Sequence, residues 1–580
     1  MNSWPATRRG HISRAMQATP FPPAVARPAC RAATQLLRVL AERGVRAAFG
    51  IPGGAVGPIF DALFDVPEIQ LVSMRHETTA VFAAAGYARI TGTPALVLVT
   101  SGPGVTNTLT GIASAHLEDL PVIVIGGDVP AAWRSRAAFQ DGSPGALDVV
   151  GLMRGVTRFS ACVESPANVA GIVSRAWLAA TGGRPGPVFL SVPYDIAQAT
   201  TDRGAVAFSE PAPHAEPNAA ATRASAELLS AAKRPLLVLG SGARAGAAEA
   251  VELAEAANVP VAVTSHAKGI FPERHPLYLG LAGNAGHPSV TDYVADGPDV
   301  VCVVGSRLGD FATSGWRLGL AGRTATIHAD RDPVMLGRNT PMTLGIMGDA
   351  RRVLAAITAA LPKVPRARAS VSRRTRPWSV NAPAGMVKPQ HAVLSLQRAF
   401  PNATFCSDIG EHMTFAQHYL TVDSPDRFHC FTGLGSMGSG FGAAIGIKHA
   451  RRDARVIVFV GDGGFHMHAG DLLTCVEQRL GIVFAVFNDG CWNMVDHGFR
   501  AVFSRKPSAF ASRISNIAEI ARGYGADGHV IDDAALLEPA FLRGLARDGV
   551  PLVLDLRIDP SEALSPLSRA ADLATLLRSL

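Results

Sequence analysis

Aromatic residues make up only 6% of this 580-residue chain, and charged residues only 17%. No apolar stretch approaches the ~20 residues of a membrane span without Gly, Pro or a charge interrupting it, which excludes a chain that crosses a membrane. Hydrophobic residues nonetheless reach 48%, a balance that fits a soluble α/β protein built from aliphatic strands and helices. Cysteine is sparse too: Cys30, Cys162, Cys302, Cys406, Cys430, Cys475 and Cys491 form no CxxC pair and no zinc spacing. They read as reduced thiols of a cytoplasmic protein. The formal charge of +7 is small for this length and spread along the chain, so nucleic acid is not expected as a partner. Residues 1–29 hold four Arg and no acid. Without an apolar core they are no secretion signal, and they read as a disordered extension.

At about 150 residues per domain, the length calls for three or four domains. Three blocks of alternating strand and helix patterns cover residues 31–200, 218–362 and 385–562, separated by a Pro- and Ala-rich linker at 210–222 and an Arg- and Ser-rich one at 366–376. The expected fold class is α/β, with three doubly wound parallel-sheet domains, a gross internal repeat.

The last block carries the strongest signal. An apolar run at 456–460 leads into Gly461-Asp462-Gly463-Gly464, and a second run at 482–487 leads into Asn488-Asp489-Gly490-Cys491, with a crossover helix expected at 469–479. Strand, carboxylate, helix, strand and second carboxylate make a βαβ unit whose ligand lies at the carboxyl ends of parallel strands. Two carboxylates fixed there suit a hard divalent cation holding a diphosphate. A plain turn closing a strand accounts for Gly-Asp-Gly equally well when it is taken alone.

These residues resemble the thiamine diphosphate enzymes, and among them the acetolactate synthase family, over nearly the whole chain after residue 30. The resemblance names the blocks as pyrimidine-binding, middle and diphosphate-binding domains. It implies thiamine diphosphate and Mg2+ as cofactors, with Asp462, Asp489 and the backbone oxygen of Cys491 as metal ligands. In Gly433-Leu434-Gly435-Ser436-Met437-Gly438, it implies that Met437 wedges between the cofactor's rings and that the Gly435 carbonyl accepts from its amino group. A glycine-rich loop with a core Met is the plainer reading. In Met74-Arg75-His76-Glu77, the resemblance places the Glu77 carboxyl against the aminopyrimidine ring in an apolar pocket. Glu77 also suits the first turn of a helix. Gly102 and Gly104 of Gly102-Pro103-Gly104 would let backbone approach the cofactor, beside Asn107. Phe139-Gln140 lies at the family's spacing from Glu77, so Gln140, with the backbone of Gly54, would bind substrate oxygen; a buried polar contact and a turn are the alternative.

Family membership would further imply a homodimer or homotetramer in which Glu77 of one subunit serves the diphosphate held by the other. The reaction implied is decarboxylation of pyruvate and ligation to a second pyruvate, giving 2-acetolactate. No adjacent His pair occurs, which favours carboligation over aldehyde release. Two positions depart from the biosynthetic members: Phe311, where those members carry a substrate-binding Arg, and Gly498, where they carry Trp. Together with Trp316 and the run Asn493-Met494-Val495 they resemble flavin-free catabolic members, which speaks against FAD. They also leave open another keto acid or aldehyde acceptor, a hydrolase of a cyclic dione, or a non-catalytic cofactor-binding subunit. His466 and His468 are expected to open a helix and to pack or bond phosphate. The pairs Arg451-Arg452 and Arg373-Arg374 read as solvated surface.

Overall fold

Aliphatic runs bounded by Gly and Pro form the strands, and the glycines after them turn the chain into helices. The computed structural model describes residues 29–201, 216–362 and 371–564. The extension expected at 1–29, apart from its last residue, and parts of both linkers lie outside the described residues.

The first sheet contains β1 (Ala47–Gly50), β2 (Gln70–Ser73), β3 (Ala95–Val99), β4 (Val122–Asp128), β5 (Phe159–Cys162) and β6 (Val188–Pro193) in the order β2-β1-β3-β4-β6-β5. The second contains β7 (Leu236–Leu239), β8 (Val261–Val263), β9 (Tyr278–Leu281), β10 (Val300–Val304), β11 (Ala325–Asp330) and β12 (Leu344–Met347) in the order β9-β8-β7-β10-β11-β12. In the third, β13 (Thr404–Ser407), β14 (Phe428–Cys430), β15 (Val456–Gly461), β16 (Ile482–Asn488), β17 (Asp527–Ile531) and β18 (Leu552–Arg557) run β14-β13-β15-β16-β18-β17. Every pairing within these three sheets is parallel. The three-domain α/β expectation is met, and the first and third sheets share one strand order while the middle sheet has another.

Six helices position the sites: α1 (Glu77–Thr91), α2 (Glu411–Tyr419), α3 (Ser439–Ala450), α4 (Asp462–His468), α5 (Leu472–Glu477) and α6 (Asn493–Phe503). His76 caps α1 by accepting from the Thr78 N–H, and Gly92 ends it in a left-handed conformation. Ten of its 15 residues are buried, because α1 lies between the first sheet and α3. The helices approach to backbone contact: a Cβ at Gly446 would fall 1.8 Å from the Ala83 carbonyl oxygen, and one at Gly86 2.3 Å from that of Ala443. Only glycine allows that spacing, and through it one apolar core runs continuously from the first domain into the third.

Three expectations need correction. The crossover between β15 and β16 starts at Asp462 itself and breaks into α4, a 3-10 turn at Ala469–Asp471 and α5, instead of one helix at 469–479. Residues 219–222 of the first linker belong to a helix, Ala219–Ala231, started by the Asn218 side chain. Arg373 is no surface residue: it donates to Glu273 at 2.7 Å and to Thr421 at 2.7 Å. Glu273 in turn holds the fully buried Lys268 at 2.7 Å, and two buried charges of opposite sign draw a third across the domain junction. Among the described residues no helix is long and apolar enough to cross a membrane, and all seven cysteines are free thiols.

Candidate active site

Strand order decides where a ligand can sit. In the third sheet the order reverses between β13 and β15, and ligands of open α/β sheets bind in the crevice at such a point, beyond the carboxyl ends of the strands. Asp408 follows β13, Asp462 follows β15, and Asp489 follows β16. A cleft of about 220 Å³ opens there, lined by Glu411, Gly435, Met437, Gly461, Asp462, Gly463, Gly464, Asp489, Cys491, Trp492 and Asn493, with Ile409, Phe415, Phe487, Met494, Val495 and Ile558 as its apolar wall.

Backbone amides hold both carboxylates. Asp462 accepts from Gly463 at 2.7 Å and from Gly490 at 3.0 Å, and Asp489 accepts from Cys491 at 3.0 Å. Burial raises the Asp462 pKa. Burial first, and the neighbouring Asp462 carboxylate second, push Asp489 up to about 7. No Lys or Arg is among the residues lining the cleft. Such a pair suits a hard divalent cation. Among the described residues, no three His, Cys, Asp or Glu side chains gather around one point, so a cation here needs further oxygens from backbone, ligand phosphate or water. Asn488, the neighbour of Asp489, gives its amide to Asp555 at 2.7 Å and to the Ser515 carbonyl at 3.0 Å, away from this role.

The glycines of the motif make room. A Cβ at Gly463 would lie 2.3 Å from the Trp492 ring and 3.1 Å from the Met437 methyl, and one at Gly464 2.4 Å from Asp408 Oδ2. A diphosphate and its cation would therefore face backbone N–H groups and close-packed side chains, and the residues present fit that group.

Several residues at this cleft carried no signal in the sequence. Asp408 is buried and accepts from Gly438 at 2.8 Å and Gly440 at 3.0 Å, fixing the loop that carries Gly435 and Met437; burial pushes its pKa up to about 6. Glu118, from the first domain, accepts from Gly433 at 2.8 Å and pairs with Arg89 at 2.7 Å, both side chains buried. Glu411 lines the cleft and accepts from His497 Nδ1 at 3.0 Å, while His497 Nε2 donates to the Pro560 carbonyl at 3.1 Å. That pairing raises the His497 pKa. An acid whose backbone partners lie 30 to 315 residues away has no local pattern to betray it.

The other predicted residues form a second cluster at the equivalent reversal of the first sheet, between β1 and β3. Glu77 Oε2 accepts from Asn107 Nδ2 at 2.9 Å. Gln140 sits over Gly102, where a Cβ would lie 3.1 Å from its side chain, and its Oε1 is 3.4 Å from the Ser101 hydroxyl. Gly53 and Gly104 both pack on Thr100, whereas Gly54 faces open space. Glu77 is half-buried in the single chain, short of the apolar pocket expected for it. None of Glu77, Gly102, Gly104, Asn107, Gln140 or Gly54 lines the cleft at Asp462. The chain thus presents two half-sites, on two sheets of the same strand order.

His466 and His468 close α4; they do not open it. His466 bonds Ser515 at 2.8 Å, and His468 is buried against α1 and α3. In the middle domain, the glycine turn after β7 packs on the turn after β10: a Cβ at Gly240 would lie 2.2 Å from the Gly305 carbonyl oxygen.

Comparison with known proteins gives the same division of the chain. Residues 30–148 match the model of the thiamine pyrophosphate enzyme N-terminal TPP binding domain, residues 222–357 the central domain, and residues 408–556 the C-terminal TPP binding domain. The chain is 31% identical over 561 residues to a probable acetolactate synthase large subunit of Methanocaldococcus jannaschii, covering 92% of this chain and 93% of the relative. It is 32% identical over 556 residues to an acetolactate synthase of Arthrospira platensis, with 92% and 95% covered. With acetolactate synthase isozyme 1 large subunit of Escherichia coli (strain K12) it shares 31% identity over 541 residues, with 92% and 94% covered.

Proposed function

We propose that this chain, which belongs to the acetolactate synthase family of thiamine pyrophosphate enzymes, decarboxylates pyruvate and joins the remaining two-carbon unit to a second pyruvate, giving 2-acetolactate and carbon dioxide. The observation that carries the chemistry is the pair Asp462 and Asp489, two carboxylates on adjacent parallel strands with no cationic side chain lining their cleft. Asp462, Asp489 and the carbonyl of Cys491 would hold Mg2+, and the N–H groups of the 461–464 turn would face the diphosphate. Bound thiamine diphosphate supplies the electron sink that lets carbon dioxide leave a 2-keto acid. Met437 would set the cofactor's bend, and Gly435 would accept from its amino group. Glu77 would exchange a proton at the aminopyrimidine nitrogen, and Asn107 fixes that carboxylate for the exchange. Gln140 and the Gly54 N–H would orient the substrate's oxygen.

The two half-sites complete one another only between subunits in this reading: Glu77 of one subunit meets Asp462 of the other in a homodimer, or in a homotetramer of such pairs. The separate placement of the clusters supports it. The departures at Phe311 and Gly498 from the flavin-containing biosynthetic members support a reading without FAD. A cytoplasmic setting belongs to the same reading, supported by seven unpaired thiols.

Phe311 favours a second reading for the acceptor. Its ring packs on the third-domain core, so no cation stands there to pair with a carboxylate, and an aldehyde, which has none, then becomes the second substrate. The test is to incubate the protein with thiamine diphosphate, Mg2+ and pyruvate alone and to identify the product by mass spectrometry. Acetolactate supports the first reading. Cofactor binding without product, followed by product once an aldehyde is added, moves the assignment to the second. Absence of cofactor binding overturns both.

A further inference from the structure

Nothing in the proposed reaction uses His468, although it is buried at 8% exposure between the two parts of the chain that carry the cofactor machinery. Its Nδ1 lies 2.9 Å from the hydroxyl of Thr79, in the first turn of α1 and two residues after Glu77. The ring occupies the space left by Gly438, where a Cβ would fall 1.9 Å from Nε2. Gly438 adopts φ +86°, a conformation glycine supplies at little cost. Phe82 and Phe441 flank the ring at 6.0 and 6.4 Å between centroids.

Burial lowers the His468 pKa to about 4, so the ring is neutral and carries one N–H. Nδ1 and the Thr79 hydroxyl share one proton in their contact at 2.9 Å. Asp471, which also faces Thr79, keeps the Arg75 N–H at 2.7 Å. Asp408 and Glu118 hold N–H groups of the 433–440 loop; His468 packs against Gly438 of the same loop.

We propose that His468 is a positioning residue that braces the wedge loop at Gly438 against the first turn of α1, so that the wedge loop and the Glu77 helix of one subunit are placed as a single body. This rests on the thiamine diphosphate reading, in which the two serve different centres of a dimer. A change in the seating of Met437 at one centre is then transmitted to Glu77 at the other through one imidazole.

The test uses His468→Leu, which fills space without hydrogen bonds, and His468→Gln, whose amide can both donate and accept. In cofactor-free protein, amide hydrogen exchange of residues 433–440 and 75–81 should speed up about tenfold in His468→Leu, with residues 236–239 unchanged as the internal control. In protein loaded with thiamine diphosphate and Mg2+, exchange of the cofactor's C2 proton should slow about tenfold while the cofactor Kd stays within about threefold. His468→Gln should restore both. Unchanged amide exchange at 433–440 in His468→Leu, or failure of His468→Gln to restore it, overturns the proposal. Should His468→Leu not fold, Thr79→Val and its rescue by Thr79→Ser test the brace from its other end, with the same two amide-exchange outcomes deciding. A wild-type protein that binds no thiamine diphosphate would defeat the underlying reading, and amide exchange in the cofactor-free protein would still test the brace.

Discussion

Asn107 donates from Nδ2 to Oε2 of Glu77 at 2.9 Å, tying the first turn of α1 to the short helix Pro103–Asn107 that follows the Gly-Pro-Gly turn. The carboxylate is thereby held in one orientation before any ligand arrives. Pre-placement of a proton-transfer group removes a conformational cost from the reaction.

Replacing Glu77 with Gln keeps the size and the bond to Asn107 while removing the acid. Turnover should fall by roughly 10²–10⁴, with the affinity for Mg2+ and thiamine diphosphate little altered. Steady-state rates and calorimetric titration check this together, and an unchanged rate would remove Glu77 from the mechanism.

Asp489 titrates higher in the fold, at about 7, than its ordinary 3.8. The folded state therefore binds the extra proton, and the stability of the cofactor-free protein should decline as pH rises between those two values, by a few kcal/mol at most. Mg2+ competes with that proton, so its stabilising effect should be small at about pH 5 and largest above about pH 7. Thermal melts with and without Mg2+ across this range test it. In Asp489→Asn both the slope and the Mg2+ response should flatten.

Close helix contact makes a sharp stability prediction. Gly446→Ala puts a methyl group within 1.8 Å of the Ala83 carbonyl oxygen, and the helices must separate at a cost of about 1–3 kcal/mol or more. Gly54→Ala meets open space and should leave stability within about 0.5 kcal/mol. Denaturant midpoints of the two variants should differ accordingly.

The junction of the middle and third domains offers another. Glu273→Gln leaves Lys268 buried without its counter-charge and should cost about 3–5 kcal/mol. Urea unfolding measures the loss, and Glu273→Leu combined with Lys268→Met should recover part of it.

For the acceptor, Phe311→Arg restores a guanidinium where a ring now packs. The KM for pyruvate as acceptor should fall by about tenfold, through charge-assisted pairing with its carboxylate. Competition between pyruvate and an aldehyde, read by product ratio, should shift toward the keto acid.

Elements that recur along the chain are legible in the sequence. The strands before Asp462 and Asp489, the helix from Glu77 and the turn at Gly102 are local patterns, set by apolar runs and by glycine. Contacts between distant segments are not. Asp408, Glu118 and His497 act on partners from other strands or another domain, and no spacing in the sequence announces them. Arg373 misleads because an Arg pair in an Arg- and Ser-rich stretch looks solvated, until a buried acid 100 residues earlier claims it. Glu77 is half-buried in the single chain, and in the proposed crossed dimer its cover would come from a second chain, which no local pattern can show.

The crossed dimer proposed above would have a genetic consequence. A chain that carries unlike halves of two different centres can be damaged in either half, and the two kinds of damage are not equivalent in a mixed population. When subunits bearing Glu77→Gln assemble with subunits bearing Asp489→Asn, each crossed dimer gathers both lesions into one centre and leaves the other intact. Two inactive alleles would then complement each other, whereas two alleles damaged in the same half would not.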